Sequence, residues 1–151
     1  LFLLGASGSI AQTNVNLGGV SVDTSAAIEV AADSLSVDQD TGTAVFSGNV
    51  LIGQGNLRLS AGRVEVIYSE ESGDIVRLLA SENVTFATEN DAAEAQNADY
   101  DITTGLLTLT GDVLLTQGAS AISAERMVLN VKSGTATMDG RVRTVLQQGG
   151  N

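Results

Sequence analysis

Three pairs of acidic residues are the side chains whose type and spacing could support chemistry in this sequence. Paired carboxylates can act as a general acid and a general base, or they can bind a cation. The pairs are Asp38 and Asp40, Glu70 and Glu71, and Asp99 and Asp101. The first two pairs lie in turn-like segments, and the third falls on the solvated face of an alternating strand. We therefore interpret all three pairs as solvated surface acids and predict that the chain is not an enzyme.

Other residue types that usually carry catalysis or hold metals are missing. The 151 residues include no His and no Cys, which removes the common transition-metal ligands and the thiolate nucleophile. The stretch "DQDTG" at 38–42 begins like a calcium-binding loop but lacks the closing glutamate. The stretch "GQGNLR" at 53–58 lacks the third glycine of a dinucleotide fingerprint, so we predict a hairpin turn there. The sequence thus predicts no catalytic residue, no metal site and no cofactor.

The charge balance argues against one class of partner. The chain has 18 acidic and 7 basic residues, which gives a formal net charge of −11 at pH 7. Because a strongly acidic protein repels the phosphate backbone, we expect no nucleic-acid partner.

The N-terminal stretch "LFLLGASGSIAQ" has the apolar start and small-residue step that end a secretory signal peptide. We expect cleavage after Ala11, so that residues 1–11 are a remnant of that peptide and the mature chain is exported. A frayed terminus or a truncated membrane anchor is the alternative. No later stretch has the roughly 18 consecutive apolar residues that a membrane-spanning helix needs. After the remnant we expect a flexible segment at 12–27, one domain at 28–148 and a tail at 149–151.

From Ile28 onward, apolar and polar residues alternate with period two, which is typical of strands with one buried face. The turn signals between these runs are short, and short turns join antiparallel strands. They lie at residues 38–42, 69–74, 102–105 and 132–134. The sequence therefore predicts an all-β, antiparallel fold. Two segments rich in Ala favour helix on propensity: in "TSAAIEVAAD" we predict a strand from Ile28, and in "ENDAAEAQNAD" a loop leading into a strand at Ala98.

One short motif recurs four times along the chain. It combines a small or polar pair, a polar residue and a Val. Its copies are "SGNVLI" at Ser47, "SENVTF" at Ser81, "TGDVLL" at Thr110 and "DGRVRT" at Asp139. A unit of about 30 residues that holds two strands and repeats in this way is typical of stacked β architectures, in which no unit buries its apolar face alone.

The alternation also predicts which side chains point inward. The predicted interior is mostly aliphatic, so it either packs tightly as a structural core or stays open and accepts an aliphatic molecule. Its predicted members are Ile28, Val30, Leu35, Val37, Val50, Ile52, Leu57, Leu59, Val64, Val66, Val84, Phe86, Tyr100, Ile102, Leu107, Leu109, Val113, Leu115, Met127 and Leu129.

Two blocks of the sequence resemble the OstA-like domain family of lipopolysaccharide-transport proteins. The first block is "IEVAADSLSVDQDTGTAVFSGNVLIGQGNLRLSAGRVEV" at 28–66, and the second is "AQNADYDITTGLLTLTGDVLLTQGASAISAERMVLN" at 95–130, followed by "GRVRTVL". Together they cover nearly all of the mature chain in order. The resemblance implies an elongated antiparallel β-jellyroll that is built from repeated hairpins, is open at both ends and has an apolar interior groove.

The resemblance also implies a function and a set of lipid-facing residues. It implies a periplasmic bridge protein that shields the lipid A acyl chains of lipopolysaccharide between the inner and outer membranes. The positions that match lipid-facing sites of the family are Ile28, Val30, Phe86, Tyr100 and Ile102, with Thr24 at a looser position. Ordinary core packing is the alternative for each of them.

Open ends expose edge strands, which can pair with other chains. The first strand lies near Ile28 to Val37, and the last strand is predicted at 141–148, where Arg141, Val142 and Val145 lie. The resemblance implies that one end docks on an inner-membrane-anchored transport component, and the other on the outer-membrane translocon or head-to-tail on another copy. The competing interpretation is a ligand-free structural or adhesive β-solenoid module with a filled core.

Overall fold

The structure, a computed structural model, describes residues 12–16 and 25–146, and the strands in this part of the chain form one sheet. No helix in this part is long and apolar enough to cross a membrane. The predicted signal remnant at 1–11 and the tail at 149–151 lie outside the described residues. The strands are β1 Gln12–Asn16, β2 Ile28–Ala31, β3 Ser34–Asp38, β4 Thr43–Gln54, β5 Leu57–Tyr68, β6 Ile75–Ala87, β7 Asp91–Asp101, β8 Leu106–Gln117, β9 Ser120–Asn130, β10 Thr135–Asp139 and β11 Arg143–Val145.

Strand order follows chain order over most of the sheet, because each long strand turns back beside the previous one. The order is β1-β10-β9-β8-β7-β6-β5-β4-β2, with β3 also on β4 and β11 also on β9. Every pairing is antiparallel, which confirms the predicted fold class. The two ends of this order do not pair with each other, so the sheet is open.

Every second long strand, β4, β6 and β8, carries a β-bulge near its middle, and the repeated motif marks that place. The register shifts between Ser47 and Val50 on β4, and the same irregularity recurs on β6 and β8. At the bulge on β4, Gly48 and Asn49 both have positive φ angles of 84° and 49°. A bulge bends its strand sharply, so the row of bulges folds the sheet along a line. The repeat thus encodes the corner of the fold.

The corner line divides the sheet into two layers, which we call half-sheet I and half-sheet II. Half-sheet I contains β2, the second halves of β4, β6 and β8, the first halves of β5, β7 and β9, and β11. Half-sheet II contains β3, the other halves of the long strands, β10 and β1. The hairpin turns therefore lie along two rims, one for each layer, on the side away from the corner.

At the corners, glycine makes room for a side chain on the neighbouring strand. A Cβ atom added to Gly48 would lie 2.6 Å from Asp33 Oδ2 and 2.9 Å from Asp33 Cβ. The roles are reversed at the next corner, where Glu82 occupies the motif position and its side chain covers Gly62. One glycine for each such pair lets neighbouring strands approach closely at the bend.

The segment at 89–99 differs from the prediction. It was expected to be a loop as far as Ala98, but β7 begins at Asp91 and pairs with β6 on one side and β8 on the other. Ala93 and Ala95 point inward and are buried. Pairing on both sides and burial of alternate residues outweigh the weak β propensity of Ala. The prediction of a strand from Ile28 in the first Ala-rich segment is confirmed by β2.

The edges also depart from the sequence prediction. Leu35 and Val37, expected in the interior, are 55% and 60% exposed, because β3 is an edge strand that pairs only with β4. The last described strand is shorter than predicted, since Arg141 has a φ of +52° at the final corner and β11 begins at Arg143. Within the segment expected to be flexible, residues 12–16 form β1 on β10.

Candidate lipid-binding interior

The inner faces of the two half-sheets form one continuous apolar interior. In half-sheet I, the inward side chains of the β4–β5 hairpin are Val50, Ile52, Leu57 and Leu59, all at most 2% exposed. Half-sheet II contributes a matching set. Its buried members include Val64, Val66, Leu78, Leu107, Leu109, Met127, Leu129 and Met138. The predicted aliphatic interior is therefore present and is filled by its own side chains.

A cleft of ≈ 690 Å³ opens between the two rims, beside the edge strand β2. Ala26 and Ile28 lie on the half-sheet I side, with Gln54 at the end of β4. The other side is formed by the turns that follow β5 and β7. The residues that line it there are Tyr68, Ser69, Ser72, Gly73, Asp74, Ile75, Val76, Ile102 and Thr103. The wall combines aliphatic side chains with hydroxyl groups and one carboxylate, so the cleft has an amphipathic character.

The structure brings three of the five predicted lipid-facing residues to this region. Ile28 and Ile102 line the cleft from opposite rims and are half-buried. Tyr100 lies just inside, two residues before Ile102, and is 2% exposed. Phe86 and Val30 lie elsewhere. Phe86 is fully buried and pairs with Leu59 across the ladder.

Val30 is half-buried on β2 and pairs with Ile52. Thr24 lies outside the described residues.

Sequence reasoning missed the polar residue of the interior beside the cleft. Gln54 is 1% exposed and accepts a hydrogen bond of 2.8 Å on its Oε1 atom from the Tyr100 hydroxyl. Its Nε2 atom donates to the Ala26 carbonyl oxygen at 3.3 Å. The sequence does indicate this burial, because Gln54 follows Val50 and Ile52 at the next inward position of the alternation. A polar residue at the third inward position needs a buried partner, and Tyr100 provides it.

Burial also changes the titration of Tyr100. Because the phenolate would be charged in an apolar interior, burial raises the pKa of Tyr100 to about 12 from an ordinary value of 10.0. The hydroxyl group is therefore a neutral hydrogen-bond donor at every physiological pH.

Most charged residues of the described chain lie on the outer faces and in the turns. The Asp99 carboxylate, one of the paired acids, accepts a 2.8 Å hydrogen bond on Oδ1 from the Arg77 Nε on the neighbouring strand. Asp38 and Asp101 accept bonds from backbone amides of their own turns. No cluster of three or more acidic side chains suited to a metal ion occurs in the described part of the chain. These three acids thus have structural roles, and apart from the buried Asp91 at the start of β7 the interior offers apolar contact and the Gln54–Tyr100 pair.

Both edges of the sheet present the residues predicted to meet partners. Ile28 lies on β2, and Val37 lies on β3 with most of its side chain exposed. At the other edge, Val145 lies on β11 and is 61% exposed. Arg141 and Val142 precede that strand at the corner, where the Arg141 Nε lies 3.5 Å from a carboxylate oxygen of Glu125.

Comparisons with known proteins agree with this architecture. The chain is similar to LptH, described as the LptA homologous periplasmic component of the conserved lipopolysaccharide transport device from Pseudomonas aeruginosa. The TM-score is 0.76 at 19% identity, over 84% of this chain and 99% of that one. This likeness supports the β-jellyroll fold.

Sequence relatives place the chain in a family. It is 30% identical over 135 residues to the lipopolysaccharide export system protein LptA of Haemophilus influenzae (strain ATCC 51907 / DSM 11121 / KW20 / Rd), covering 82% of this chain and 78% of the relative. An uncharacterized protein of Rhizobium meliloti (strain 1021) is 27% identical over 93% of this chain and 82% of its own length. Residues 29–135 match the model of the family described as LptA/(LptD N-terminal domain) LPS transport protein. With more than half of its length matched, the chain belongs to this lipopolysaccharide-transport family.

Proposed function

We propose that this chain is a periplasmic component of lipopolysaccharide transport that holds lipid A acyl chains between its two half-sheets. It acts as a non-enzymatic carrier, in keeping with its family. The observation that carries the proposal is the open, folded sheet, whose facing inner surfaces are mostly aliphatic and whose rims face each other without a shared ladder. Burial of hydrocarbon stabilises by about 0.8 kcal/mol per CH₂, so a smooth apolar lining holds long chains without polar anchors.

Entry of a hydrocarbon chain requires the half-sheets to separate, because the interior is filled by side chains. The backbone joins the layers through the strands that cross the corner, where glycines and bulges concentrate. Separation at the rims therefore costs side-chain contacts and leaves the ladder hydrogen bonds within each layer intact. Strands are stiff along their length and bulges are natural bending points, which favours opening about the corner line.

Photo-crosslinking tests this proposal directly. A benzophenone side chain is introduced at Phe86, on the inner face, or at Thr85, the exposed neighbour on the same strand. Purified protein is irradiated with lipopolysaccharide, and adducts are read on a denaturing gel. We expect an adduct from position 86 and none from position 85. Equal labelling at both positions would contradict an interior path.

A ligand-free structural module is the second candidate, and the filled interior favours it. Side chains such as Phe86, Leu109 and Met138 leave no exposed surface. If the folded protein gives no adduct from either crosslinking position, the interior is a permanent core and this second function is the better one.

We also propose that the two sheet edges dock partners by strand addition, with the inner-membrane-anchored component at one edge and the outer-membrane translocon or another copy at the other. Val37 and Val145 are exposed edge residues, and Leu51 is an equally exposed apolar residue on β4, where it pairs with strands on both sides. Because a Lys on an edge blocks strand pairing, Val37→Lys or Val145→Lys should reduce the association measured by analytical ultracentrifugation. The control Leu51→Lys should not, and an equal loss in the control would refute edge docking.

A further inference from the structure

We infer that the Gln54–Tyr100 hydrogen bond is a clasp that holds the two rims together beside the cleft, and that it must break before a hydrocarbon chain enters there. The second half of this inference rests on the proposed function. The first half concerns the lipid-free protein and can be tested separately.

The clasp crosses the interior. Gln54 ends β4 in half-sheet I, and Tyr100 lies in the second half of β7, in half-sheet II. Strands β5 and β6 separate these two strands in the sheet, so the hydrogen bond does not follow a ladder. A direct bond of 2.8 Å between them therefore ties one layer to the other.

The clasp lies beside the cleft between the two rims. Gln54 lines the cleft together with Ile28 and Ile102, and Tyr100 precedes Ile102 by two residues. The hydrogen bond from Gln54 Nε2 to the Ala26 carbonyl oxygen fixes the segment just before β2 at the same place. Any widening of the cleft by separation of the rims must therefore stretch the contact between Gln54 and Tyr100.

The polar character of the clasp is unusual for its surroundings. In the described part of the chain, Gln54 and Asp91 are the two buried residues with polar or charged side chains besides the tyrosine Tyr100. An apolar pair would pack here in any of several arrangements, whereas a buried hydrogen bond has a fixed length and direction. The pair thus defines one closed arrangement of the rims, and its loss should raise the population of more open ones.

Distance measurement between spin labels tests the clasp without any ligand. The chain has no Cys, so Asn56→Cys and Glu71→Cys place labels on exposed turns of opposite rims without a background signal. Tyr100→Phe removes the hydroxyl and keeps the ring, and Tyr68→Phe makes the same change in the wall of the same cleft.

We expect Tyr100→Phe to raise the population of the wider distance about fivefold, because the net free energy of one hydrogen bond corresponds to about that factor. Tyr68→Phe should leave the distribution unchanged. Gln54→Leu should reproduce the effect of Tyr100→Phe, and the double variant should add nothing further. Unchanged distances in Tyr100→Phe, or full additivity of the two changes, would overturn the clasp.

Lipopolysaccharide added to the labelled wild-type protein tests the second half. We expect the wider distance to grow together with the crosslink at Phe86. A crosslink without widening would overturn entry through the clasp and leave the proposed function standing. If Tyr100→Phe widens the cleft but benzophenone at position 86 gives no adduct with lipopolysaccharide, the clasp stands and the proposed function fails.

Discussion

The corner of the fold makes a quantitative prediction at Gly48. Its φ angle of +84° costs any other L-residue about 1–2 kcal/mol. A Cβ at this position would also lie 2.6 Å from Asp33 Oδ2 and 2.9 Å from Asp33 Cβ. The second of these contacts cannot be relieved by rotating the side chain, so overpacking adds about 1–3 kcal/mol. We therefore expect Gly48→Ala to lower the free energy of unfolding by about 2–5 kcal/mol.

Gly118 supplies the matched control. It also has a positive φ, of 57°, but a Cβ added there meets nothing within 4 Å, so Gly118→Ala should cost only the backbone term of about 1–2 kcal/mol. Asp33→Gly removes the opposing Cβ, and in that background Gly48→Ala should cost no more than Gly118→Ala. Urea unfolding followed by circular dichroism measures all four variants. Equal costs for Gly48→Ala and Gly118→Ala, or no relief from Asp33→Gly, would refute this account of the corner.

The remaining predictions concern the reversed corner and the interior. Gly62→Ala should lower the free energy of unfolding, since its Cβ would lie 2.8 Å from Glu82 Cβ. Glu82→Gly should restore stability in the same urea assay. A persistent loss in the double variant would contradict the exchanged roles of glycine and side chain at this corner. In Tyr68→Phe the one remaining tyrosine is Tyr100, whose absorbance at 295 nm should titrate near pH 12 when folded and near 10 in urea. Between pH 10 and 12 the native state keeps a proton on Tyr100 that the unfolded chain loses. The contribution of Tyr100 to the free energy of unfolding is therefore complete below pH 10 and falls by up to about 2–3 kcal/mol as the pH rises towards 12. Tyr100→Phe should not lose this stability between pH 10 and 12. If its free energy of unfolding falls with pH as in the parent protein, the assignment to Tyr100 is refuted. Phe86→Ala should cost about 3–5 kcal/mol in urea unfolding, and a cost below about 1 kcal/mol would show that the interior is already loose at this point.

Much of the fold followed from local pattern. The alternation from Ile28 onward and the short turn signals predicted an antiparallel all-β chain, and the strands β4 to β9 confirm it. Side chains alternate across a strand whatever their tertiary surroundings, so pattern alone locates most inward residues. The same logic failed at Leu35 and Val37, because alternation does not reveal whether a strand has neighbours on both sides.

The candidate site was only partly predictable. Ile28 meets Tyr100 and Ile102 at the cleft, but its sequence separation of more than 70 residues from both gave no indication of it. Gln54 was overlooked because its partner lies 46 residues away and on the other layer. Contacts between layers depend on where the sheet bends, and a hydrogen-bond partner across an interior leaves no periodic trace in the sequence.

The sequence by itself determined the strand pattern, the aliphatic inner face, the absence of His and Cys chemistry, and a motif that recurs four times. Tertiary structure decided what that motif does. The paired positive φ angles at Gly48–Asn49 and its counterparts on β6 and β8 bend these alternate long strands at the same level, so a single meander becomes two facing half-sheets. Only this bend sets Gln54 opposite Tyr100 and leaves a cleft between the rims, because a residue's facing partner depends on the path of the whole chain.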